Sequence, residues 1–141
     1  MYTFSRQISQ RLLELGIDIP DSGLWWIRTI GYWTLVTSKI KESDFSHCVS
    51  IPALSLSNLI TLLPVIGEKL NEINGYVEMG NLFECNNCKS NRTYDCPLSH
   101  CTCPDTIGEG IARKITDIFL TSKSEDQAYK LASEYILKLI K

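Results

Sequence analysis

The sequence predicts an α+β fold in which a small, mostly antiparallel sheet is packed by about four helices. A segment rich in aromatic and β-branched residues is divided by Gly31, which is typical of two strands joined by a tight turn. Apolar residues recur at helical spacing on both sides of that segment, and capping-box patterns precede the last two helical stretches. The predicted sheet comprises residues 24–38 and 76–96, and the predicted helices lie near residues 4–15, 56–63, 107–120 and 125–140.

The N-terminal elements follow from apolar spacing and from glycine. Apolar residues recur at the spacing of one helix face from Phe4 onward, and Gly16 is placed as the C-terminal cap of this first helix. After the two predicted strands, residues 39–47 are charged and polar. They therefore predict a connector without regular structure.

The middle of the chain is marked by serine and proline. Ser55 or Ser57 is placed to cap the helix that follows, and Pro64 is expected to end or kink that helix because proline removes a backbone donor. Residues 65–75 fit two structures. Their apolar spacing suits a continuing helix, whereas the Asn-Gly dipeptide at their end is a strong hairpin signal. We favour a strand.

The C-terminal helices carry the clearest start signals. Thr106-x-x-Glu109 and Ser124-x-x-Gln127 both match the capping box, in which a hydroxyl and a carboxylate or amide three residues later satisfy the first backbone N–H groups. We therefore predict a helical pair at this end.

Length and composition predict one domain over residues 1–141. The chain has 141 residues, 44% of them hydrophobic, and a net charge of −2, so there is no global positive field to hold nucleic acid or anionic lipid. No apolar stretch approaches the ~18 residues that span a bilayer, and the N-terminus lacks the apolar run of a secretory signal. We expect a cytoplasmic protein without membrane contact, whose cysteines are thiols or metal ligands.

Five of the six cysteines lie in a cysteine-rich window at residues 85–103, with the spacing C-x2-C-x7-C-x4-C-x-C. Two residues between the first two thiolates let both sulfurs reach one tetrahedral ion at ~2.3 Å. We therefore predict a structural zinc site in this loop or subsite. The candidate ligands are Cys85, Cys88, Cys96, His100, Cys101 and Cys103.

Two other states of the window remain open, namely unligated thiols and a disulfide. Polar residues between the cysteines offer little apolar packing, which favours a metal as the ordering element. Lys89 and Arg92 against Asp95 give the window a charge of only +1, and four thiolates with one Zn²⁺ would lower it to −1. Phosphate binding needs several positive charges together, so nucleic acid is an unfavoured partner.

Three tryptophans form the candidate partner-binding set. Trp25 and Trp26 are neighbours in a predicted strand, so their side chains point to opposite faces and one face cannot bury both. Either the terminal helices cover both faces, or an indole contributes to a protein-binding or homodimer surface, where tryptophan is enriched. Trp33 adds a third large ring in the partner strand.

The segment 51–64 reads I-P-A-L-S-L-S-N-L-I-T-L-L-P. It resembles an I-P-A-W-S-L-x-x-L-x-x-L-L-P segment of small uncharacterised proteins encoded by phages and mobile elements of gut Bacteroidales bacteria. Leu54 stands at the tryptophan of that pattern, and Leu12, Leu15 and Gly16 match an earlier L-x-x-L-G phrase. The resemblance implies an accessory protein of a mobile element, with interference in host or rival defence systems as a candidate role.

Three hypotheses follow in order of preference. The first is a non-enzymatic protein that binds a host or defence-system protein, with inhibition as one mode of action. The second is a zinc-stabilised domain that associates with nucleic acid, and the third is a thiol-dependent enzyme. Salt dependence separates the first two, because phosphate contacts weaken steeply as salt rises and an aromatic interface does not.

Overall fold

The computed structural model describes residues 2–74 and 107–140. The elements in chain order are α1 (Arg6–Glu14), β1 (Leu24–Thr29), β2 (Tyr32–Thr37), α2 (Ser38–Asp44), β3 (Ser50–Pro52), α3 (Leu56–Asn74), α4 (Ile107–Thr121) and α5 (Glu125–Ile140). The α+β class is confirmed by the helices and the antiparallel sheet within these residues. The predicted strand region 76–96 lies outside them. No helix in the described ranges combines the length and apolarity needed to cross a membrane.

The sheet has the order β2-β1-β3, and both pairings are antiparallel. The predicted hairpin is confirmed: β1 and β2 pair from Leu24 with Thr37 to Thr29 with Tyr32, and Gly31 in the turn has a φ of +82°. Residues with a Cβ rarely adopt this backbone conformation, which explains why glycine occupies the turn. The third strand was not predicted, because its three residues are too few to show an alternating pattern.

Local signals set three helix ends as expected. Beyond α1, the Gly16 N–H donates to the Leu13 carbonyl at 3.0 Å and the Ile17 N–H to the Leu12 carbonyl at 3.0 Å, which is a Schellman motif. The hydroxyl of Ser55 accepts from the third residue of α3, and the hydroxyl of Ser124 accepts from the third residue of α5. The predicted capping box at Thr106 begins outside the described residues.

Two predictions were wrong. Helix α3 does not end at Pro64, and it continues through residues 65–74, where we favoured a strand. Burial explains this outcome, because Leu63, Ile66 and Leu70 are each at most 2% exposed and lie on one helix face. Residues 39–44 of the predicted connector at 39–47 belong to α2, whose first turn is capped by the Thr37 hydroxyl, which accepts from the Ile40 N–H at 3.3 Å.

The chain divides into two compact units. The first unit contains residues 1–59 and 122–141, and the second contains residues 60–121. The single-domain organisation stays a prediction. In the first unit, α1 is tied to the end of α5 because the Arg11 Nε donates to the Ile140 carbonyl at 2.6 Å.

The described part of the second unit is built on a close approach of two helix backbones. A Cβ placed on Gly67 of α3 would lie 2.7 Å from the backbone nitrogen of Gly108 in α4. A Cβ on Gly108 would lie 2.7 Å from the Leu63 carbonyl oxygen. Only glycine fits at both positions, and the buried Ile111 and Ile115 continue the apolar face of α4 beyond this crossing.

Candidate functional site: an aromatic cleft

The first unit contains an open cleft with a volume of about 510 Å³. Its walls come from the N-terminal segment 2–7, from one face of the β1–β2 hairpin and from α5. We call this feature the aromatic cleft. The residues that line it are Tyr2, Thr3, Phe4, Ser5, Gln7, Trp26, Leu35, Asp126, Tyr129, Lys130, Ser133, Glu134 and Leu137.

Aromatic side chains pack tightly within the lining. Phe4 is fully buried and meets the ring of Tyr129 edge-on, with 5.0 Å between ring centroids. Tyr2 is 45% exposed and stacks on the same Tyr129 ring with 6.1 Å between centroids. Trp26 and Leu35 are cross-strand partners on the sheet side. The cleft therefore presents large, rigid apolar surface with one exposed ring at its edge.

Two backbone hydrogen bonds hold the N-terminal segment in place. The Phe4 N–H donates to the Leu54 carbonyl at 3.0 Å, and the Ser5 N–H donates to the Ser133 hydroxyl at 3.1 Å. Ser133 is 7% exposed. Because both bonds are at least partly shielded from water, this wall of the cleft is pre-formed rather than a loose terminus.

Two polar atoms of cleft residues are buried without a partner among the described residues. They are the Trp26 Nε1 and the Ser5 Oγ. A shielded donor or acceptor without a hydrogen bond costs roughly 1–3 kcal/mol, so such atoms are uncommon in folded proteins. Outside the cleft lining, the Ser9 and Tyr135 hydroxyls are two further examples among the described residues.

The rim of the cleft is charged with both signs. Asp126, Lys130 and Glu134 follow one another at four-residue spacing along α5, and all three are exposed. Burial raises the pKa of Tyr129 above its usual range, with the Glu125 carboxylate adding to the effect, so the phenol is neutral. An apolar base with a mixed polar rim is found in protein interfaces and in small-molecule pockets alike.

The three predicted partner-binding tryptophans are all partly exposed and divide between two sheet faces. Trp26 lines the cleft, and Trp33 lies on the same face two residues from Leu35. The Arg6 guanidinium sits 4.8 Å from the centre of the Trp33 ring, a cation–π distance. Trp25 lies on the opposite face, as strand alternation requires.

Trp25 has a complete set of partners of its own. Its Nε1 donates to the Asp21 Oδ1 and to the Ser38 hydroxyl, each at 3.1 Å. The Lys41 ammonium lies 3.7 Å from the centre of its ring. Asp21 also accepts from the Gly23 N–H at 2.7 Å. This indole is therefore fixed by the loop before β1 and by α2.

We expect an acid-sensitive contribution to stability from Asp21. The Gly23 N–H, with the hydroxyl of Ser38 and the indole of Trp25, lowers the pKa of Asp21 in the folded state. The unfolded chain then binds more protons, so this contribution is present above the unfolded pKa of about 3.9 and is lost as pH falls through the folded pKa. Urea unfolding of wild type and Asp21→Asn across acidic pH should show a stability difference that shrinks with acid. A difference independent of pH would contradict this role.

The predicted metal ligands at 85–103 lie outside the described residues. Within residues 2–74 and 107–140, no group of three histidine, cysteine or acidic side chains is placed to hold a metal ion. Cys48, the cysteine in those ranges, is partly buried and has no disulfide partner.

Comparison with known proteins gives no further assignment. No protein family, curated protein or solved structure matches the chain.

Proposed function

We propose that the protein is a non-enzymatic accessory protein of a mobile element that binds a host or defence-system protein through the aromatic cleft. The observation that carries the proposal is the cleft itself, with buried rings at its base, an exposed Tyr2 at its edge and a charged α5 rim. Inhibition of the bound protein is the mode of action we favour. The mobile-element context rests on the resemblance of segment 51–64.

Chemistry at the cleft supports a protein partner over a nucleic acid. Interface hot spots are enriched in tryptophan and tyrosine at the centre of a patch, with polar groups around them. The rim carries Asp126 and Glu134 against Lys130, which would repel a phosphate backbone more than attract it. Of the three tryptophans, Trp26 is the one that we propose contacts the partner.

Capture of the partner from the host tests the proposal. A tagged wild-type protein and a Tyr2→Ala/Lys130→Ala variant are used as baits, because both side chains are exposed and lie in the cleft. We expect one partner that the cleft variant retains at least tenfold less well. The matched control is Lys39→Ala, which removes an exposed lysine at the start of α2.

Salt dependence of the captured complex distinguishes the two leading functions. A protein that contacts several phosphates loses about 10³-fold or more in affinity between 50 and 200 mM salt. We expect a much weaker dependence for the aromatic cleft. Equal capture by the cleft variant and by Lys39→Ala, or recovery of nucleic acid with a steep salt dependence, would contradict the proposal.

We also propose that Cys85 and Cys88, with two of the remaining candidates in the cysteine-rich window, bind one structural zinc ion. The C-x2-C spacing supports this. The closed site would leave no coordination position for a reaction. The chain is long enough to bury about 68–70% of its unfolded surface, so the rest of the fold should not depend on the metal.

Protein purified under reducing conditions without added metal should therefore contain about one zinc per chain. Chelation should remove it and leave the helical circular dichroism nearly intact, because the described helices lie outside the window. Cys85→Ser should lose the zinc and Cys48→Ser should keep it. A zinc content well below one per chain, with all six thiols titrating rapidly, would leave free thiols as the better description.

A further inference from the structure

Helix α5 (Glu125–Ile140) carries a row of exposed charged side chains, one every four residues. In chain order they are Asp126, Lys130, Glu134 and Lys138, so the sign of the charge alternates along the row. Residues four apart lie on one ridge of a helix and are separated by about 6 Å along its axis. The row therefore extends over almost the whole length of α5.

These charges do not pair with one another within α5. Opposite charges at this spacing commonly form ion pairs on a helix surface, and Glu109 and Arg113 of α4 do so at 2.8 Å. Among the residues that the structure describes, no ion pair or hydrogen bond engages any side chain of the row. The row can therefore meet charges on another surface without breaking existing contacts.

The order of the signs makes the row complementary to its own reverse. We propose that a second copy of this chain packs its α5 antiparallel against the row, with a two-fold axis at residue 132. Asp126 of one copy then faces Lys138 of the other, and Lys130 faces Glu134, so each charge meets an opposite one. The two-fold symmetry repeats both pairs.

The position of the axis follows from the sequence of charges. An axis moved by four residues along α5 would match only half of the row, and an axis moved by two residues would bring like charges together. Residue 132 lies at the middle of α5, so no charge of the row is left without a facing residue. This self-match favours a second copy over an unrelated surface, because it needs no charges other than those of the chain itself.

Helix packing geometry allows the two rows to lie side by side. Helices that pack through their four-residue ridges cross at about −50°, which is the commonest class of crossing in globular proteins. The neighbouring ridges on either side of the row carry Leu131, which is 41% exposed, and the half-buried Leu137. A second copy would cover both leucines, and the charge pairs would fix the register of the contact.

The proposal goes beyond the proposed function and concerns the same rim. Asp126, Lys130 and Glu134 also line the aromatic cleft, so the second copy would lie along one side of it. A partner protein that contacts this rim would therefore compete with the second copy. Self-association is measured on the purified protein alone, so its failure would leave the proposed function untouched.

Two double variants that only exchange charges along the row test the pairing. Lys130→Glu/Glu134→Lys keeps an opposite charge at each facing position of the two-fold. Glu134→Lys/Lys138→Glu places like charges at every facing position. Both variants have the composition and net charge of the wild type, and the substituted positions are exposed, so neither variant alters the core.

Sedimentation equilibrium of the purified proteins at low salt is the measurement. We expect the wild type and Lys130→Glu/Glu134→Lys to dimerise, and Glu134→Lys/Lys138→Glu to dimerise at least about tenfold more weakly. Charge pairing within a single α5 predicts the opposite order, because the first variant has two like-charged neighbours at four-residue spacing and the second has one. A wild-type monomer would overturn the proposal, as would equal dimerisation of the two variants or loss of the dimer in both.

Discussion

Replacing Phe4 with alanine should lower the free energy of unfolding by about 3–5 kcal/mol, the usual range for a buried aromatic residue truncated to alanine. Phe4 is fully buried and contacts Tyr129 edge-on. Truncation removes the transfer free energy of the ring and leaves a cavity beneath the aromatic cleft. Urea unfolding followed by tryptophan fluorescence is the measurement, because all three tryptophans lie in the first unit.

Tyr2→Ala is the matched control. Tyr2 stacks on the same Tyr129 ring but is 45% exposed, so its truncation should cost about 1 kcal/mol or less. This difference separates packing of the cleft base from its exposed edge. Equal losses for the two variants, or a loss below about 1 kcal/mol for Phe4→Ala, would show that the base of the cleft is not part of the core.

Gly67→Ala should destabilise the second unit by about 2 kcal/mol, although alanine is normally the better helix former by about 1 kcal/mol. The added Cβ would lie 2.7 Å from the Gly108 nitrogen and 3.2 Å from its Cα. Both atoms belong to a backbone, so the clash is relieved only if α3 and α4 separate. Urea unfolding followed by far-ultraviolet circular dichroism should show a lower midpoint.

Glu68→Ala controls for helix propensity in this experiment. Glu68 is the exposed neighbour of Gly67, and its replacement should change stability by less than about 0.5 kcal/mol. Gly108→Ala should act like Gly67→Ala, and the double variant should cost less than the sum, because one separation relieves both contacts. A Gly67→Ala protein as stable as the wild type would contradict the close helix crossing.

Local physical signals made much of the secondary structure predictable. Gly31 marks the hairpin turn because its φ is positive, and Gly16 marks the end of α1 for the same reason. Ser124 and Gln127 mark the start of α5 through short-range hydrogen bonds. Such signals depend only on neighbours in sequence, so they can be recognised without knowledge of the tertiary structure.

The error in the length of α3 arises from tertiary packing, which the local sequence does not reveal. Pro64 is a local reason to end a helix, but the buried face formed by Leu63, Ile66 and Leu70 continues past it. The close approach of Gly67 to Gly108 joins residues that are forty-one positions apart, so no local pattern could reveal it. In this region packing outweighs the helix-breaking tendency of one proline.

The candidate site was only partly predictable for the same reason. Strand alternation correctly predicted that Trp25 and Trp26 lie on opposite faces of the sheet. In the structure both side chains are partly exposed. The rest of the aromatic cleft combines Tyr2 and Phe4 with Tyr129, which lies more than a hundred residues away. Nothing in the local sequence marks these rings as neighbours. The partner-binding role of the tryptophans and the zinc-binding role of the cysteine-rich window stay predictions.

Site-specific photo-crosslinking in the host tests the central claim, that the aromatic cleft holds a partner protein. A photoreactive phenylalanine derivative replaces Lys130 on the rim in one protein, and Glu42 in another. Glu42 is exposed on α2, next to Lys41, which covers Trp25 on the opposite sheet face. We expect one partner to crosslink from position 130 and not from position 42. Crosslinks to that partner of equal yield from both positions, or from position 42 alone, would contradict the claim.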